Sequence, residues 1–415
     1  MKLKKILLDE IKRIDDSKTS KRNELVIEGF KKGEGSPKVL IKGKSYAIFN
    51  SNDYMGLRFN QDVRKAEEKA SEKYGSGPGA VRFISGTMDI HVELEKALAK
   101  FHDREDAMIF SSAFAVNMAV IHCFIKGQSK DSLVSSDTLV VSDALNHRSI
   151  IDGVRVAGLP KENKAIFKHM DMDDLKLVLE ENKGKFARVV VVTDGIFSML
   201  GEFQDLKKMH NVIEKFQDDY EEGIISIVDD SHGVASFGLT GRGCEEATNS
   251  KADLLIATMG KGFGVDGGYV VADKVYIDYL RESAATYIYS NPIAPGTAGA
   301  ALESVNIMNS KGKDMIKKLN ENIVYFQKKV EEIGFKFAAP SCHAIQPILI
   351  GDPVKTRALV DGLFEEGIIV TNISYPVVPK GSDEIRVQLS AIHTKADIDE
   401  FLQKLEIVGK KLNII

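Results

Sequence analysis

Two apolar segments of this chain end in small polar clusters that could do chemistry. IVDDSHG contains Asp229 and His232, and LIATMGKG contains Thr258 and Lys261. Because parallel strands deliver their functional residues at their carboxyl ends, we expect these side chains at one edge of an α/β sheet. A lysine can form a Schiff base with an aldehyde, a carboxylate can pair with a protonated ring nitrogen, and a hydroxyl can bind a phosphate. These are the groups that pyridoxal phosphate requires.

Lys261 is the residue on which this interpretation depends most. A lysine followed by glycine is most often a solvated surface residue, but Lys261 lies between Gly260 and Gly262, directly after a strand pattern. Glycines allow the backbone to approach a ligand closely. A desolvated lysine beside another cationic group loses its proton more readily, as an imine-forming amine must. The pattern GxxxxGK[ST] is absent, so these glycines do not predict a P-loop.

The segment DDSH allows three interpretations. It can cap a strand end before a helix, it can supply half of a metal site, or Asp229 can keep a pyridine nitrogen protonated so that the ring accepts electrons. No second pair of His, Asp or Glu stands at a matching spacing, so no metal ion is predicted. The position of DDSH, one crossover before Lys261, favours the cofactor interpretation.

Other positions could contribute to the same site. His147 follows a further strand pattern and either caps a helix or stacks its imidazole on the cofactor ring. Ser112, Ala113 and Phe114 open a helix, where free N–H groups suit a phosphate as well as a plain N-cap. Arg386 lies on the strand-like run EIRVQLSA and is either a surface arginine or a bidentate clamp for a substrate carboxylate.

Composition excludes several classes of protein. The chain has 415 residues, of which 43% are hydrophobic and 28% charged, with a net charge of −4. This charge gives no basic field for nucleic acid or an anionic membrane, and no apolar run reaches the roughly 18–20 residues that span a bilayer. The three widely spaced cysteines suggest neither a disulfide framework nor a metal site. We expect a cytoplasmic location, with neither nucleic acid nor membrane as a partner.

The pattern of apolar runs predicts a large α/β domain and a smaller α+β domain. Several of the runs are apolar throughout, as in sheets that are buried on both faces. The seven predicted strands are at 107–112, 138–144, 165–169, 188–195, 224–231, 254–260 and 268–273. Later segments are predicted as a helix at 299–334, a strand at 344–351, a helix at 354–366, strands at 368–374 and 385–389, and a closing helix from about 395.

The predicted domain bounds follow these changes in pattern. They are an N-terminal helical segment at 1–55, a large cofactor-binding domain at 56–298 and a small C-terminal domain at 299–415. Residues 1–35 are Lys/Glu-rich and are predicted to be helical, beginning with an amphipathic helix rather than a signal peptide.

Taken together, the motifs resemble those of the α-oxoamine synthase family of fold-type-I pyridoxal phosphate enzymes. The resemblance extends from about residue 45 to residue 405. The matching motifs are NSNDYMGL, VRFISGT, SSAFAVN, SDALNHRSIIDGVR, TDGIFSMLGE, VDDSH, TMGKG, IYSNPIAP and IRVQLSAIHT. One departure is FSMLGE, in which Leu200 stands where the family usually has an acid.

The resemblance implies a role for each matching residue. Lys261, His147, Asp229 and His232 would be catalytic. The cofactor would be held by Ala113, Phe114, His147, Ser198, Asp229, His232, Thr258, Lys261 and Ser290. Asn52, Ser198 and Arg386 would bind the substrate. In the family the serine at the position of Ser290 reaches the phosphate from the neighbouring subunit, which implies a homodimer with shared active sites.

The resemblance also implies the reaction, which is the condensation of glycine or a similar small amino acid with an acyl-CoA. The main prediction is glycine C-acetyltransferase activity, which forms 2-amino-3-oxobutanoate. The alternative is 8-amino-7-oxononanoate synthase or another decarboxylating member of the family. An aminotransferase or aldolase of the same fold is a more remote alternative. A binding protein without activity is disfavoured, because Asp229, His232, Lys261 and Arg386 occur together.

Overall fold

The computed structural model describes residues 2–17, 20–22, 24–32, 35–127, 131–375 and 378–415. None of the helices in these ranges is long and apolar enough to cross a membrane. The strands in chain order are β1 (Gly29–Lys31), β2 (Lys38–Ile41), β3 (Lys44–Ile48), β4 (Asp106–Phe110), β5 (Thr138–Asp143), β6 (Lys164–Phe167), β7 (Arg188–Asp194), β8 (Ile224–Asp229), β9 (Leu254–Thr258), β10 (Gly268–Ala272), β11 (Lys336–Phe337), β12 (Ile345–Leu349), β13 (Ile368–Ile369), β14 (Thr371–Ile373) and β15 (Glu384–Gln388).

Helices connect most of these strands. They are α1 (Lys2–Asp16), α2 (Gln61–Tyr74), α3 (Arg82–Ser85), α4 (Asp89–Phe101), α5 (Ala113–Ile125), α6 (Arg148–Val156), α7 (Met172–Glu181), α8 (Leu206–Ile213), α9 (Cys244–Thr248), α10 (Lys274–Ser283), α11 (Ala285–Ile288), α12 (Pro295–Glu332), α13 (Pro353–Glu365) and α14 (Lys395–Lys411).

The seven predicted strands of the large domain form one sheet, in the order β4-β10-β9-β8-β7-β5-β6. Strand β10 is antiparallel to both of its neighbours, whereas β9, β8, β7, β5 and β6 pair in parallel. The prediction of a mainly parallel seven-stranded sheet is confirmed. In this arrangement, the carboxyl ends of β5, β7, β8 and β9 lie side by side at one edge.

The central residues of the parallel strands are mostly apolar, and helices cover both faces of the sheet. Every residue of β7, RVVVVTD, is buried. Val189 and Val191 pack into the hydrophobic cluster that includes α4, α7, α8 and α12, whereas Val190 and Val192 pack against α5, α6 and α10. Successive side chains of a strand point to opposite faces, so a run of valines is the sequence that fits a strand enclosed in this way.

The C-terminal region forms the predicted α+β unit around an antiparallel sheet, in the order β11-β12-β15-β14. The strand predicted at 368–374 is divided into β13 and β14. Strand β14 pairs with β15, whereas β13 pairs in parallel with β3 and completes a separate sheet with the order β1-β2-β3-β13.

The prediction of a helix over 1–35 is correct for α1 and wrong for the described residues after Asp16; residues 18–19, 23 and 33–34 lie outside the described residues. The wider N-terminal segment at 1–55, predicted to be helical, also contains the strands β2 and β3. The segment Gly29–Lys31 is a strand instead, and it pairs antiparallel with β2. Phe30 packs against the cluster of Val39, Ile41 and Tyr46. The burial of this apolar surface outweighs the helix preference of a Lys/Glu-rich composition. The domain bounds at 55/56 and 298/299 stay a prediction.

Candidate active site

A cavity of about 180 Å³ lies at the edge of the large sheet where the parallel strands end. Its lining comes from the ends of β7, β8 and β9, from the starts of α5 and α6, and from the loops that follow these elements. The lining residues are Ser112, Ala113, Phe114, His147, Ser149, Asp194, Ile196, Ser198, Asp229, Ser231, His232, Thr258 and Lys261. The structure therefore brings together all the predicted cofactor-binding residues except Ser290.

Lys261 stands three residues after the end of β9. Its Nζ has no hydrogen-bond or ion-pair partner among the described residues. Burial lowers the pKa of this amine, and the charges of Asp229 and Asp194 oppose the shift. The following Gly262 leaves no room for a side chain, because a Cβ there would lie 2.8 Å from the carbonyl oxygen of Val234. The tight turn holds a desolvated amine at the cavity wall.

Asp229 is the last residue of β8 and is fixed by two hydrogen bonds. Asn117 Nδ2 donates to its Oδ2 at 2.5 Å, and the backbone N–H of Ser231 donates to its Oδ1 at 3.0 Å. Asn117 also donates to Ser149 Oγ at 2.9 Å. The carboxylate is 5% exposed, so it is desolvated and oriented in advance for a cationic partner.

His147 both caps a helix and lines the cavity, so the two interpretations of its sequence position are compatible. Its Nδ1 lies 2.7 Å from Ser149 Oγ, and it is the N-cap residue of α6. Its backbone N–H donates to Asp194 Oδ2 at 2.7 Å. Burial lowers the pKa of the imidazole, which favours a neutral, flat ring beside Asp229.

His232 is connected to the N-terminal segment through Tyr54. The Tyr54 hydroxyl lies 2.8 Å from His232 Nδ1, and Gln388 Nε2 donates to the same hydroxyl at 3.3 Å. Gln388 also donates to Asn52 Oδ1. Burial lowers the pKa of His232 well below its ordinary value, and Lys261 contributes to the shift. The ring is therefore neutral.

The part of the cavity lining formed by the start of α5 suits a phosphate. Ser112 caps α5, and Ala113 is the first residue of that helix. Gly268 on β10 permits this approach, because a Cβ at Gly268 would lie 2.2 Å from the backbone nitrogen of Ala113. Thr258 Oγ1 donates to the carbonyl oxygen of Gly267 at 3.1 Å and accepts from Gly260. Phe114, 45% exposed, stands at the rim.

Three predicted residues lie outside the cavity lining. Arg386, on β15, donates from Nη1 to the carbonyl oxygen of Ser198 at 2.7 Å, which places it beside a lining residue. Asn52 is joined to His232 only through Tyr54. Ser290 follows α11 and does not line the cavity of its own chain. Its predicted contact with a neighbouring subunit stays a prediction.

Sequence reasoning missed Asn117, Tyr54 and Asp194. Asn117 is the one amide in the apolar helix AFAVNMAVIHCFI and is fully buried, a pattern that could have revealed it. Asp194 ends β7, and burial, together with the charge of Asp229, raises its pKa well above the ordinary value. Asp194 belongs to the motif TDGIFSMLGE, for which the resemblance implies a role only for Ser198.

The residues present fit pyridoxal phosphate and do not fit a metal ion. Among the described residues, no group of three His, Cys, Asp or Glu side chains could hold a metal. The cavity presents a desolvated amine, a buried carboxylate and a helix start to one small volume. The buried hydroxyl of Ser231 has no hydrogen-bond partner in the described part of the chain. A cofactor with an aldehyde, a ring nitrogen and a phosphate meets a partner at each of these positions.

This fold and site define a pyridoxal phosphate enzyme of fold type I. The chain belongs to the aminotransferase class I and II family, whose model matches residues 45–405. It is 37% identical to the 8-amino-7-oxononanoate synthase of Petrotoga mobilis over 99% of this chain and 98% of that one. It is 38% identical to the enzyme of the same name from Thermosipho melanesiensis, over 91% of this chain and 92% of that one.

Solved structures show the same relationship. A structure of serine palmitoyltransferase with PLP is 27% identical, with a TM-score of 0.86 and coverage of 99% of this chain and 98% of that one. The Sphingomonas wittichii serine palmitoyltransferase is 25% identical, with a TM-score of 0.87 and the same coverage. The predictions of the α-oxoamine synthase relationship, of the cofactor and of an enzyme of the C-acyltransferase type are confirmed.

Proposed function

We propose that this protein is an 8-amino-7-oxononanoate synthase, which joins L-alanine to a pimeloyl thioester with loss of CO2. The observation that carries the proposal is the identity of 37–38% with synthases of that name over more than nine-tenths of this chain. These relatives favour the decarboxylating alternative over glycine C-acetyltransferase, the main prediction from the sequence.

The substrates follow from the structure of the product. 8-Amino-7-oxononanoate has a carboxylate at C1, a ketone at C7, an amine at C8 and a methyl group at C9. A new bond between an amino-acid Cα and an acyl carbonyl corresponds to C7–C8, so C8 and C9 come from alanine and C1–C7 from a seven-carbon dicarboxylic thioester. Alanine, the thioester and one proton then give the product, a free thiol and CO2.

Pyridoxal phosphate, when bound, supplies the electron sink that makes the bonds at the amino-acid Cα labile. Asp229, held by Asn117 and Ser231, would pair with the ring nitrogen and keep it protonated. His147 would pack its neutral imidazole against the ring. Thr258 and the first turn of α5 would bind the phosphate.

Lys261 performs the proton transfers. Its Nζ is the group that would hold the aldehyde of the cofactor, and as a free amine it would take the Cα proton of the amino acid as a general base. Burial lowers the pKa of this amine, so a larger fraction is neutral and able to accept a proton.

His232 and Arg386 position the reacting groups. We propose the tautomer of the neutral His232 ring in which Nδ1 accepts the proton of the Tyr54 hydroxyl, 2.8 Å away, rather than leaving that proton to Asn52 Oδ1. The ring proton is then on Nε2, which would donate to the ring oxygen of the cofactor. Arg386 lies beside Ser198 and is proposed to bind the amino-acid carboxylate. We further propose a homodimer in which Ser290 reaches the phosphate of the partner's site.

The test is a thiol-release assay on the protein loaded with pyridoxal phosphate. L-Alanine, glycine and L-serine are each paired with acetyl-, pimeloyl- and palmitoyl-CoA, and Lys261→Ala is the inactive control. We expect the highest kcat/KM for alanine with pimeloyl-CoA. Preference for glycine with acetyl-CoA would instead establish the glycine C-acetyltransferase prediction, and no thiol release with any pair would overturn acyl transfer itself.

A further inference from the structure

One face of β15 carries a buried acid, Glu384, on the same side as Arg386, the residue that is proposed to bind the substrate carboxylate. Alternate residues of a strand share a face, so Glu384, Arg386 and Gln388 point to the same side. Glu384 is completely buried, and neither of its carboxylate oxygens has a hydrogen-bond partner among the residues that the structure describes. Within the same described residues, the Nε atom of Arg386 is likewise buried without a partner.

The charged groups that face Glu384 are few. Arg386 on the same strand attracts its charged form, and Glu202, in the loop after β7, repels it. The flanking strands β12 and β14 place Leu349 and Ile373 opposite Glu384. No residue forms an ion pair with Glu384 within 4.0 Å in the part of the chain that the structure describes.

This setting keeps the acid protonated near neutral pH. Burial is the largest effect and raises the pKa of Glu384 to about 8, with Arg386 lowering it and Glu202 raising it. Glu202 accepts from His169 Nε2 at 3.1 Å, so its own charge already has a partner. Among the described residues, the guanidinium of Arg386 donates one hydrogen bond, to the carbonyl oxygen of Ser198, so its charge is available to a ligand.

We propose that Glu384 controls access to Arg386 by competing with the substrate carboxylate for the guanidinium. The inference rests on the proposed role of Arg386. The protonated acid leaves Arg386 free, whereas the ionised carboxylate two residues away pairs with it. Glu384 is thus a positioning residue, which acts on the substrate through Arg386. Binding of an amino acid to the ionised form then requires Glu384 to take up one proton from solvent.

The experiment measures binding directly, by isothermal titration calorimetry of L-alanine into the PLP-loaded protein at pH 7 and pH 9. Wild type and Glu384→Gln are compared, with ethylamine as a ligand that has the amine but no carboxylate. One pH unit above a pKa of about 8 the protonated fraction is about one in eleven, so wild type should bind alanine about tenfold more weakly than Glu384→Gln at pH 9. At pH 7 the two should agree within about a factor of 1.5.

Ethylamine separates the effect of Glu384 on carboxylate binding from the titration of the ligand amine and of Lys261. Its affinity should be the same in wild type and Glu384→Gln at both pH values, because it makes no contact with Arg386. Titrations in two buffers of different ionisation enthalpy give the number of protons taken up on binding. At pH 9 wild type should take up about 0.9 proton more with alanine than Glu384→Gln does, because the titration of the alanine amine is common to both proteins.

Equal alanine affinities of wild type and Glu384→Gln at pH 9 would overturn the inference. So would a loss of affinity in Glu384→Gln at both pH values, which would indicate a structural role only. Arg386→Lys separates the two proposals. If Arg386→Lys leaves the affinity for alanine unchanged, the proposed role of Arg386 is wrong; if it weakens binding while Glu384→Gln changes nothing, only the role of Glu384 is wrong.

Discussion

Asn117, in the middle of α5, donates a hydrogen bond of 2.5 Å to Asp229 at the end of β8. The two residues are 112 positions apart, and both are buried. The amide fixes the carboxylate from the side of the cavity wall and bonds to Ser149 Oγ with the same nitrogen. A helix that is otherwise apolar thus contributes one polar side chain to the cofactor site.

Replacing this amide tests its role in cofactor binding. Asn117→Ala removes a hydrogen bond to a charged group, which contributes about 1.5–3 kcal/mol, so the affinity for pyridoxal phosphate should fall about 10- to 100-fold. Asn117→Asp places a second carboxylate against Asp229 and should weaken binding further. The measurement is the Kd of the apoprotein for the cofactor, by absorbance titration. Unchanged affinity in both variants would refute the role of Asn117.

Tyr54 should contribute to rate rather than to folding. Tyr54→Phe removes the contact of 2.8 Å to His232 Nδ1 and frees the ring to adopt the other tautomer, so kcat should fall about 3- to 10-fold. Tyr269→Phe is the matched control, because Tyr269 is also fully buried and lies 2.8 Å from a histidine, His102, which unlike His232 does not line the cavity. It should lower stability and leave kcat unchanged. A similar loss of kcat in both variants would contradict the tautomer argument.

The close approach of β10 to the start of α5 predicts a phosphate-binding defect. In Gly268→Ala the new Cβ would lie 2.2 Å from the backbone nitrogen of Ala113, so the first turn of α5 must shift. We expect at least a tenfold loss of affinity for pyridoxal phosphate and a smaller loss for pyridoxal, which has no phosphate. Gly77→Ala, at a position with no atom within 4 Å of the new Cβ, should bind both normally. Equal losses for both ligands would exclude a phosphate-specific effect.

His169 predicts a pH-dependent contribution to stability. Burial opposes its charge, but hydrogen bonds to Asp143 and Glu202 dominate and raise its pKa to about 9. Because the folded pKa exceeds the unfolded value of about 6.5, the stabilisation is complete below pH 6.5, falls between pH 6.5 and 9, and is lost above pH 9.

The measurement is the free energy of unfolding in urea from pH 6 to pH 10 for wild type and His169→Gln. The difference should be about 3 kcal/mol at pH 6 and should shrink toward zero at pH 10. A difference that does not change with pH would show that His169 contributes only by packing.

The strands and the residues at their ends could be predicted from sequence because each signal is local. A run such as RVVVVTD fits only a strand covered on both faces, and the polar residues that follow it must lie at the sheet edge. The missed contacts are not local. Tyr54 reaches His232 across 178 positions, and Gln388 reaches Tyr54 across 334. Neither partner has a pattern of its own that reveals the contact.

The error at the N-terminus has the same physical origin. Composition predicts a helix at Gly29–Lys31, but Phe30 gains more from burial against Val39 and Tyr46 on paired strands. That gain depends on β2, which has to be present before β1 can form. Composition alone could not show this long-range pairing.

The covalent role of Lys261 has a direct test. Borohydride reduction of the holoenzyme should leave a pyridoxyl adduct on the peptide that contains Lys261, detected by mass spectrometry, and Lys261→Ala should carry none. The variant should lose activity by about 10³-fold or more, in line with the loss of a general base. Lys251→Ala, which removes an exposed lysine paired with Asp103, should keep both adduct and activity. An adduct on any other lysine would refute the assignment.

The central claim, decarboxylating condensation, is tested most directly with L-alanine labelled with ¹³C at its carboxyl carbon. The holoenzyme is incubated with this alanine and pimeloyl-CoA, and the gas phase and the product are analysed by mass spectrometry. We expect one ¹³CO2 and one free thiol for each molecule of unlabelled 8-amino-7-oxononanoate. Thiol release with the label retained in the product would contradict decarboxylating condensation.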